Sequence, residues 1–570
     1  MSDSASAIDE TVDVLIVGGG PAGAALAAQL GMNRIRAVAL EATDGVVRDA
    51  RVHSISIRTM ELARRWGIED ELRHCGWPLD RRQDAVWGTS LSDPEVARVV
   101  WPPIAEMSAP DFSPTFAQRC PQKWLNPILI RLANRQETAE VRTNWRMLSF
   151  EQDELGVTAQ ALDLSTQETR TIRAKYLVGC DGARSDVRKL LGIGSIRSEV
   201  WGTSAEAIIE SPELAAMPMV ASSGRFTLLE AGTMSVSLLP FDGRDQFRVT
   251  LMVHHDGGTE QDITDAVRKL TGRDTEFTFL STVLHWTNRE SVAERFRAGR
   301  VLLAGDAAHT MPTTGGFGMN TGLLDTVDLA WKLTAVIRGW GGRYLLESYE
   351  IERGAGARRT AALASSIYRD WLAIRQPLSE TFSQIRGTEP GAESARQEFG
   401  AELLDVFRRE FNAVGGALGY RYNDSPICVP DGSVETPDTL ETYLPTARPG
   451  HLAPHAWLGD GTSTLDLFGS EFVVLHFGSG DQIGPLLKAA RVRKVPLRAV
   501  GIDDPSIAEL YQRRYVLVRP DGHVAWRADV MPDDAFALID IVRGEISSAT
   551  DPAQHARPSA IEHLPESVHS

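Results

Sequence analysis

VDVLIVGGGPAGAALAAQL, residues 12–30, decides the fold. Its β-branched run 12–17 stops at three glycines and residues 24–30 are good helix formers, so the pattern predicts strand, tight turn and helix. RAVALE (36–41) reads as a second buried strand that ends on an acid. A β–turn–helix–β unit of this kind opens a doubly wound α/β sheet. Inside the turn, Gly18-x-Gly20-x-x-Gly23 gives each glycine a task. Gly18 permits the sharp turn, Gly20 lets a diphosphate approach the backbone, and Gly23 lets helix and strand pack closely. The helix N-terminus adds free N–H groups and partial positive charge. Glu41, 18 residues beyond Gly23, stands where a carboxylate can accept hydrogen bonds from a ribose diol. The motif points to a dinucleotide without saying which one.

The chain around this unit has 570 residues, more than the roughly 250–300 that one hydrophobic core sustains, so two or three domains are expected. A net charge of −17 argues against nucleic acid and anionic lipid as partners. An anionic cofactor must therefore be held by local features, such as helix N-termini and single arginines. Cys75, Cys120, Cys180 and Cys428 form no CxxC pair, which speaks against a disulfide framework and against a metal site. The opening MSDSASAIDE lacks a basic signal-like region, and no apolar run approaches the ~20 residues of a membrane span. A soluble, cytoplasmic protein is the expectation.

Further along, KYLVGCDG (175–182) reads as another strand, and 196–290 alternates in the manner of an antiparallel sheet, as in TMSVSLLP (233–240) and QFRVTLMV (246–253). VLLAGDAAH (301–309) reads as a strand returning to the parallel sheet, followed by helix over about 320–338 and 345–375. Residues 376–400 read as polar and irregular, and 421–450 as a linker rich in Pro, Asp and Thr. A third region from about 451 carries strands at 471–477, 495–502 and 515–528, the last a hairpin around Pro520-Asp521-Gly522.

Two later turns resemble the first in chemistry. Cys180-Asp181-Gly182-Ala183-Arg184-Ser185-Asp186-Val187-Arg188 ends one strand, and Gly305-Asp306-Ala307-Ala308-His309 ends another, followed by Pro312 through Asn320. An acid at a strand end before a glycine loop and a helix suits ribityl or phosphate binding. GGGPAG (18–23), DGARSDVR (181–188) and GDAAH…GFGMNTG (305–322), in this order, resemble the three fingerprints of the group A flavoprotein aromatic hydroxylases, which share the p-hydroxybenzoate hydroxylase fold. The resemblance is strong over about 10–375. It continues more weakly to about 548, where 448–469 is similar to the C-terminal domain of phenol and polyketide hydroxylases.

The resemblance implies an α/β plus α+β architecture. FAD-binding segments at 10–195 and 296–400, the latter with helices, flank a substrate-binding antiparallel sheet at 196–295. A helix and linker at 401–450, a thioredoxin-like domain without CxxC at 451–548 and a disordered tail at 549–570 follow. Gly18, Gly20, Pro21, Ala22, Gly23 and Glu41 would hold the ADP half of FAD, with Arg51 near the diphosphate and Gln122 near the ribityl chain. Asp181 and Gly182 would serve FAD and NAD(P)H use, and Asp306 the ribityl or diphosphate region. Pro312, Gly318, Met319 and Asn320 would line the isoalloxazine, and Pro312 and Arg51 are the candidates for a direct part in catalysis. The chain departs from the family at Asp328, where Asn is usual, and at Phe317, where catabolic members often have Gln or Lys.

The implied reaction is hydroxylation of a phenolic or polycyclic aromatic by NAD(P)H and O₂ through a flavin C4a-hydroperoxide, with the hard chemistry belonging to the cofactor. A phenol of pKa about 10 calls for a base or polarising group. His254, His255 and His285 are candidates, each of a type more often used in packing, and His309 reads as structural. Trp87, Trp101, Trp201 and Trp286 could wall an aromatic pocket, although a tryptophan is usually core. A Baeyer–Villiger oxygenase on the same fold is the rival reading, with a non-enzymatic flavin-binding regulator more remote. A disulfide reductase lacks its paired cysteines here. A homodimer through the third domain is compatible with the sequence.

Overall fold

The computed structural model describes residues 8–48, 54–253 and 258–546. Arg51, His254, His255 and the tail at 549–570 lie outside the described residues. The first sheet places Val301–Leu303, Thr169–Gly179, Glu10–Val17, Ala37–Glu41 and Ala139–Thr143 side by side, every neighbouring pair parallel. Val12 through Val17 are buried at all but Asp13, as an apolar run covered on both faces requires. An antiparallel arm, Trp145–Gln152 and Val157–Asp163, extends from the long strand Thr169–Gly179.

Helix Pro21–Met32 leaves the first strand and packs along helix Phe317–Ile337, where Gln29 donates a 2.9 Å hydrogen bond to Thr326. Helix Phe317–Ile337 also passes close to the turn at Gly305: a Cβ on Gly322 would stand 3.0 Å from Gly305 Cα. The expected strand at 301–309 is shorter than its sequence suggests, ending at Leu303. Gly305, at φ +61°, turns the chain into a single 3₁₀ turn, Gly305–Ala307, that presents its edge to the cavity.

The second, largely antiparallel sheet runs Thr278–Phe279, Gly202–Glu210, Gln246–Val253, Thr233–Pro240, Arg225–Glu230, Ala85–Gly88 and Glu95–Val99, with Leu284–Asn288 also on Gly202–Glu210; Arg225–Glu230 and Ala85–Gly88 pair in parallel. It thus recruits residues 85–99 from within the segment expected to bind cofactor. Residues 376–400, read from sequence as irregular, are helical: Arg375–Arg386 and Ala392–Phe411. Leu378, Ile385, Phe399, Leu403 and Phe407 bury one face of this pair against Trp87 and Leu229. The polar majority of the stretch is its solvent face.

The C-terminal sheet orders Leu497–Ile502, Phe472–Phe477, Tyr515–Val518 and Val524–Ala528. Phe472 meets Trp331 and Trp340 at ring distances of 5.8 and 6.3 Å, so this region is docked on the long helix 317–337. Among the described residues, no helix is long and apolar enough to cross a membrane.

Candidate active site

A cavity of about 1600 Å³ opens between the two large sheets. That exceeds the ~300–1,000 Å³ of a typical single-ligand pocket, leaving room for a dinucleotide and a second molecule. All three glycine turns line it, contributing Gly20, Pro21 and Ala22, then Asp181 and Gly182, then Gly305 and Asp306. Pro312, Gly318, Met319, Asn320 and Gln122 line it as well.

Each turn keeps its wall open for a physical reason. A Cβ on Gly18 would fall 2.3 Å from the Cys180 carbonyl, and one on Gly23 would fall 1.9 Å from the Gly18 carbonyl. Those two glycines close the strand–helix joint. Gly20, by contrast, has nothing within 4 Å of the Cβ direction and caps helix Pro21–Met32 without any side-chain hydrogen bond. Its helix N-terminus therefore faces the cavity with amides available to an anion. Gly316, at φ +65°, caps helix Phe317–Ile337 in the same bare manner, and Gly318 is open within 4 Å. Asp181 spends Oδ2 on the amides of Asp186 and Val187 (2.7 and 3.0 Å), while its buried Oδ1 has no protein donor.

Glu41 and Asn320 spend their side chains on contacts within the protein. Glu41 accepts from Gly19 N–H at 2.8 Å and from the Thr43 amide and hydroxyl at 2.9 and 2.6 Å, so its carboxylate first braces the glycine turn. Asn320 sends its side chain away from the cavity's centre: Oδ1 accepts from the Ser56 amide (3.0 Å) and Thr59 hydroxyl (2.7 Å), and Nδ2 donates to the Ser54 carbonyl (3.2 Å). This ties the helix N-terminus to the 54–59 segment.

Beneath the third turn lies Asp325, fully buried. Its Oδ2 accepts from Gly305 N–H (2.9 Å) and contacts His309 Nε2 (2.7 Å), and its Oδ1 accepts from Arg353 Nε at 2.8 Å. Burial alone would raise this carboxyl, but the charges of His309 and Arg353 outweigh it and hold the group below the usual carboxylate range. Asp325 thus fixes Gly305, and His309 is a buried brace.

The opposite end of the cavity is lined by Trp101, Phe116, Leu239 and Trp286 together with Arg119, Arg225, Arg248, Glu206 and Glu410. His285 lines it too, with Nε2 3.0 Å from the Gly258 carbonyl. Trp87 is instead core beside Phe407, and Trp201 stacks on Tyr368 at 6.1 Å.

A family model for the FAD binding domain matches residues 11–364, and one for the aromatic-ring hydroxylase C-terminal region matches 446–544. The chain is 32% identical to the tetracenomycin A2 monooxygenase-dioxygenase of Streptomyces glaucescens, over 95% of this chain and 96% of that one. It is 31% identical to a phenol 2-monooxygenase of Pseudomonas sp. (strain EST1001), over 93% and 92%. The chain belongs to the group A flavoprotein aromatic hydroxylases.

As an aromatic hydroxylase it also has solved relatives of the same architecture. The rebeccamycin biosynthetic enzyme RebC, with reduced flavin, aligns at TM-score 0.87 and 39% identity over 94% of this chain and 99% of that chain. The flavin-dependent monooxygenase PieE, with FAD and substrate, aligns at 0.83 and 28% identity over 95% and 99%. The hydroxylase's cavity fits FAD on its own evidence: bare helix N-termini, open glycines and an unsatisfied Asp181 oxygen converge on one space. Sequence reasoning did not find Asp325 and Arg353, which sit 20 and 48 residues beyond Gly305 and are joined to its turn only by the fold. The arginines Arg119, Arg225 and Arg248 carried no local motif either.

Proposed function

We propose that this enzyme uses FAD, NAD(P)H and O₂ to hydroxylate a phenolic or polycyclic aromatic substrate held at the arginine- and aromatic-lined end of the cavity. The observation that carries this reading is that three distant glycine turns and that aromatic end line one continuous space. Gly18, Gly20, Pro21, Ala22 and Gly23 would receive the ADP half, with Glu41 stiffening the turn as well as reaching for the ribose. Gln122, Asp181, Gly182 and Asp306 would take the ribityl and diphosphate region. Pro312, Gly318, Met319 and Asn320 would flank the ring system, where helix 317–337 offers backbone donors to an electron-rich carbonyl. Arg51 would complete the diphosphate end.

When bound, FAD supplies hydride acceptance and the activation of oxygen. The chain's own residues bind, orient and exclude water. Asp325 holds Gly305 and His309 in place. Asn320 locks the helix end against Ser54, Ser56 and Thr59. His285 lines the substrate end with one nitrogen already on a carbonyl, which leaves the other as the candidate to take a phenolic proton. We further propose that the antiparallel sheet is the substrate-binding unit. The C-terminal four-stranded sheet reads as thioredoxin-like, without a CxxC pair in its sequence.

The test is oxidation of NAD(P)H by the FAD-loaded protein in the presence of a panel of phenols and polycyclic aromatics under ¹⁸O₂. Stimulated oxidation with one labelled oxygen on an intact ring is expected. Insertion of the oxygen beside a ring ketone would favour the Baeyer–Villiger reading, and oxidation indifferent to every aromatic would sink both.

A further inference from the structure

In the C-terminal sheet, strands Tyr515–Val518 and Val524–Ala528 are joined by a tight hairpin end, residues 519–523. Arg519 N–H donates to the His523 carbonyl at 2.8 Å and Gly522 N–H to the Arg519 carbonyl at 3.0 Å. Arg519, Asp521 and His523 are all buried, and the hairpin end reaches the wall of the large cavity by two routes.

The first route is Arg58. Its Nη2 donates to the Asp521 carbonyl at 3.1 Å and its Nη1 to Glu61 at 2.8 Å, and a Cβ on Gly522 would stand 3.5 Å from that Nη2. Arg58 lies in the first turn of helix Ile57–Arg65, whose cap Ser56 gives its amide to Asn320. Residues 54–57 line the cavity. The far end of this helix is held by the same region: Arg64 donates to Asp466 at 2.9 and 2.8 Å, and Arg65 to the Gly469 carbonyl at 3.0 Å.

The second route is Tyr422. His523 stacks on its ring at 4.1 Å, and its hydroxyl accepts from Arg353 Nη1 at 3.2 Å. Arg353 Nε grips Asp325, which in turn holds the Gly305 amide. Arg353 and Gly305 line the cavity, as does Tyr420, edge-on to His523 at 5.2 Å. Tyr422, His523, Arg353 and Asp325 are all buried. Out of reach of bulk water a lost partner is costly to replace, so each link holds the next to one geometry.

We infer that the hairpin end 519–523 is a positioning element of the FAD site, with Arg58 and Tyr422 as its positioning residues. It sets where residues 54–57 and the Gly305 turn stand in the cavity wall. This rests on the reading above only in taking FAD as an occupant of that cavity. The two routes end on different edges of the site, one at Asn320 in the first turn of helix Phe317–Ile337 and the other at Gly305. One rigid hairpin therefore fixes the spacing between them. The region matched as the hydroxylase C-terminal family, 446–544, thereby acts on the cofactor without touching it.

The test compares full-length, FAD-loaded parent with Tyr422→Phe, Arg58→Lys and a docking control, Phe472→Leu. FAD titration, visible circular dichroism of the bound flavin, peptide-resolved hydrogen exchange and thermal melts are measured on each. Tyr422→Phe keeps the ring on His523 and removes only the acceptor of Arg353. Arg58→Lys keeps a charge beside Glu61 but lacks the fork that serves Glu61 and the Asp521 carbonyl together. Phe472→Leu loosens the packing on Trp331 and Trp340 and lies on neither route. FAD affinity should fall roughly fivefold in each of the first two, the worth of about one hydrogen bond. The flavin dichroism should change with it. Exchange should quicken around Gly305 in Tyr422→Phe and around Ser56 in Arg58→Lys, each sparing the other site. Phe472→Leu should lower the melting temperature alone. Should Arg58→Lys not fold, Tyr422→Phe decides by itself. If the route variants only lower the melting temperature, with affinity, dichroism and exchange at both sites as in the parent, the hairpin is a docking contact and the inference is overturned. A parent that takes up no FAD would sink the hydroxylase reading, while exchange at the two sites would still judge the positioning.

Discussion

Behind the glycine turns, Asp328, Glu352 and Asp521 are buried with Lys332 and Arg519, whereas in the cavity wall Arg225 meets Glu410 and Arg248 stands 4.0 Å from Glu206. The first group is closed. Arg519 donates to Glu352 at 2.6 and 2.9 Å, to Asp328 at 2.9 Å and to Asp521 at 2.6 Å, and Lys332 reaches Asp328 and Glu352 at 2.8 and 2.5 Å. Burial and the neighbouring Glu352 push Asp328 up against the pull of Lys332 and Arg519, making it the carboxyl on which a proton would settle. Two carboxylates then face two cations. The second pair opens on a cavity, and the buried Nε–H groups of Arg225 and Arg248 have no protein acceptor. Buried charge that is balanced within the protein joins pieces of the fold, here the C-terminal sheet to helices Phe317–Ile337 and Leu345–Ala373.

That contrast can be broken in order of expected effect. Arg519→Met leaves three carboxyls with one lysine, and removal of one partner from a buried ion cluster costs about 3–5 kcal/mol. Thermal and denaturant melts of the FAD-loaded protein should show it, and a change below about 1 kcal/mol would mean that the cluster holds nothing together. Acid comes next. His523, stacked on Tyr422 at 4.1 Å, is held by burial down to about 4, and His451 by burial down to about 3. Both folded-state values lie below the ordinary 6.5, so below that pH the unfolded chain binds protons that the folded chain refuses. Their contribution is therefore complete above pH 6.5 and is lost as pH falls toward 4 and 3 respectively. Roughly 2 kcal/mol for each should be missing at about pH 5. A stability profile flat from pH 7 to 5 would contradict this.

Arg248→Gln sharpens the other half of the comparison. Because it removes only a 4.0 Å contact with Glu206, it should move stability by less than about 1 kcal/mol. Asp306→Ala should be the mildest, with FAD dissociating several-fold faster and the melting temperature in excess FAD unchanged. A melting collapse that FAD cannot rescue would make Asp306 structural.

The glycine turns were legible from sequence because their requirement is local. Gly18 at φ +105° and Gly23, pressed on the Gly18 carbonyl, leave no room for another residue. The strand 12–17 and helix 317–337 were legible because their apolar content is continuous. Helices 375–386 and 392–411 were not, since their buried faces are narrow and the rest of each turn is polar. Asp328 stood out as a departure from the family, and its partner Arg519 lies 191 residues away, so its meaning could not be read before the C-terminal sheet was seen against the helix. The same holds for Arg119, Arg225 and Arg248, gathered from a short edge pair and two separate strands of the antiparallel sheet. Sequence reveals chemistry carried by spacing along the chain, and it hides chemistry assembled across sheets.

The most direct measurement of the central claim is the flavin stoichiometry of the purified chain after equilibration with FAD, beside Gly20→Val under the same conditions. Gly20 meets no protein atom within 4 Å of the added Cβ, so the variant should stay folded, with backbone strain small at its negative φ. The account predicts one FAD per chain in the parent and close to none in the variant. A parent that stays folded yet takes up no FAD, or a variant that takes up one equivalent, would contradict it.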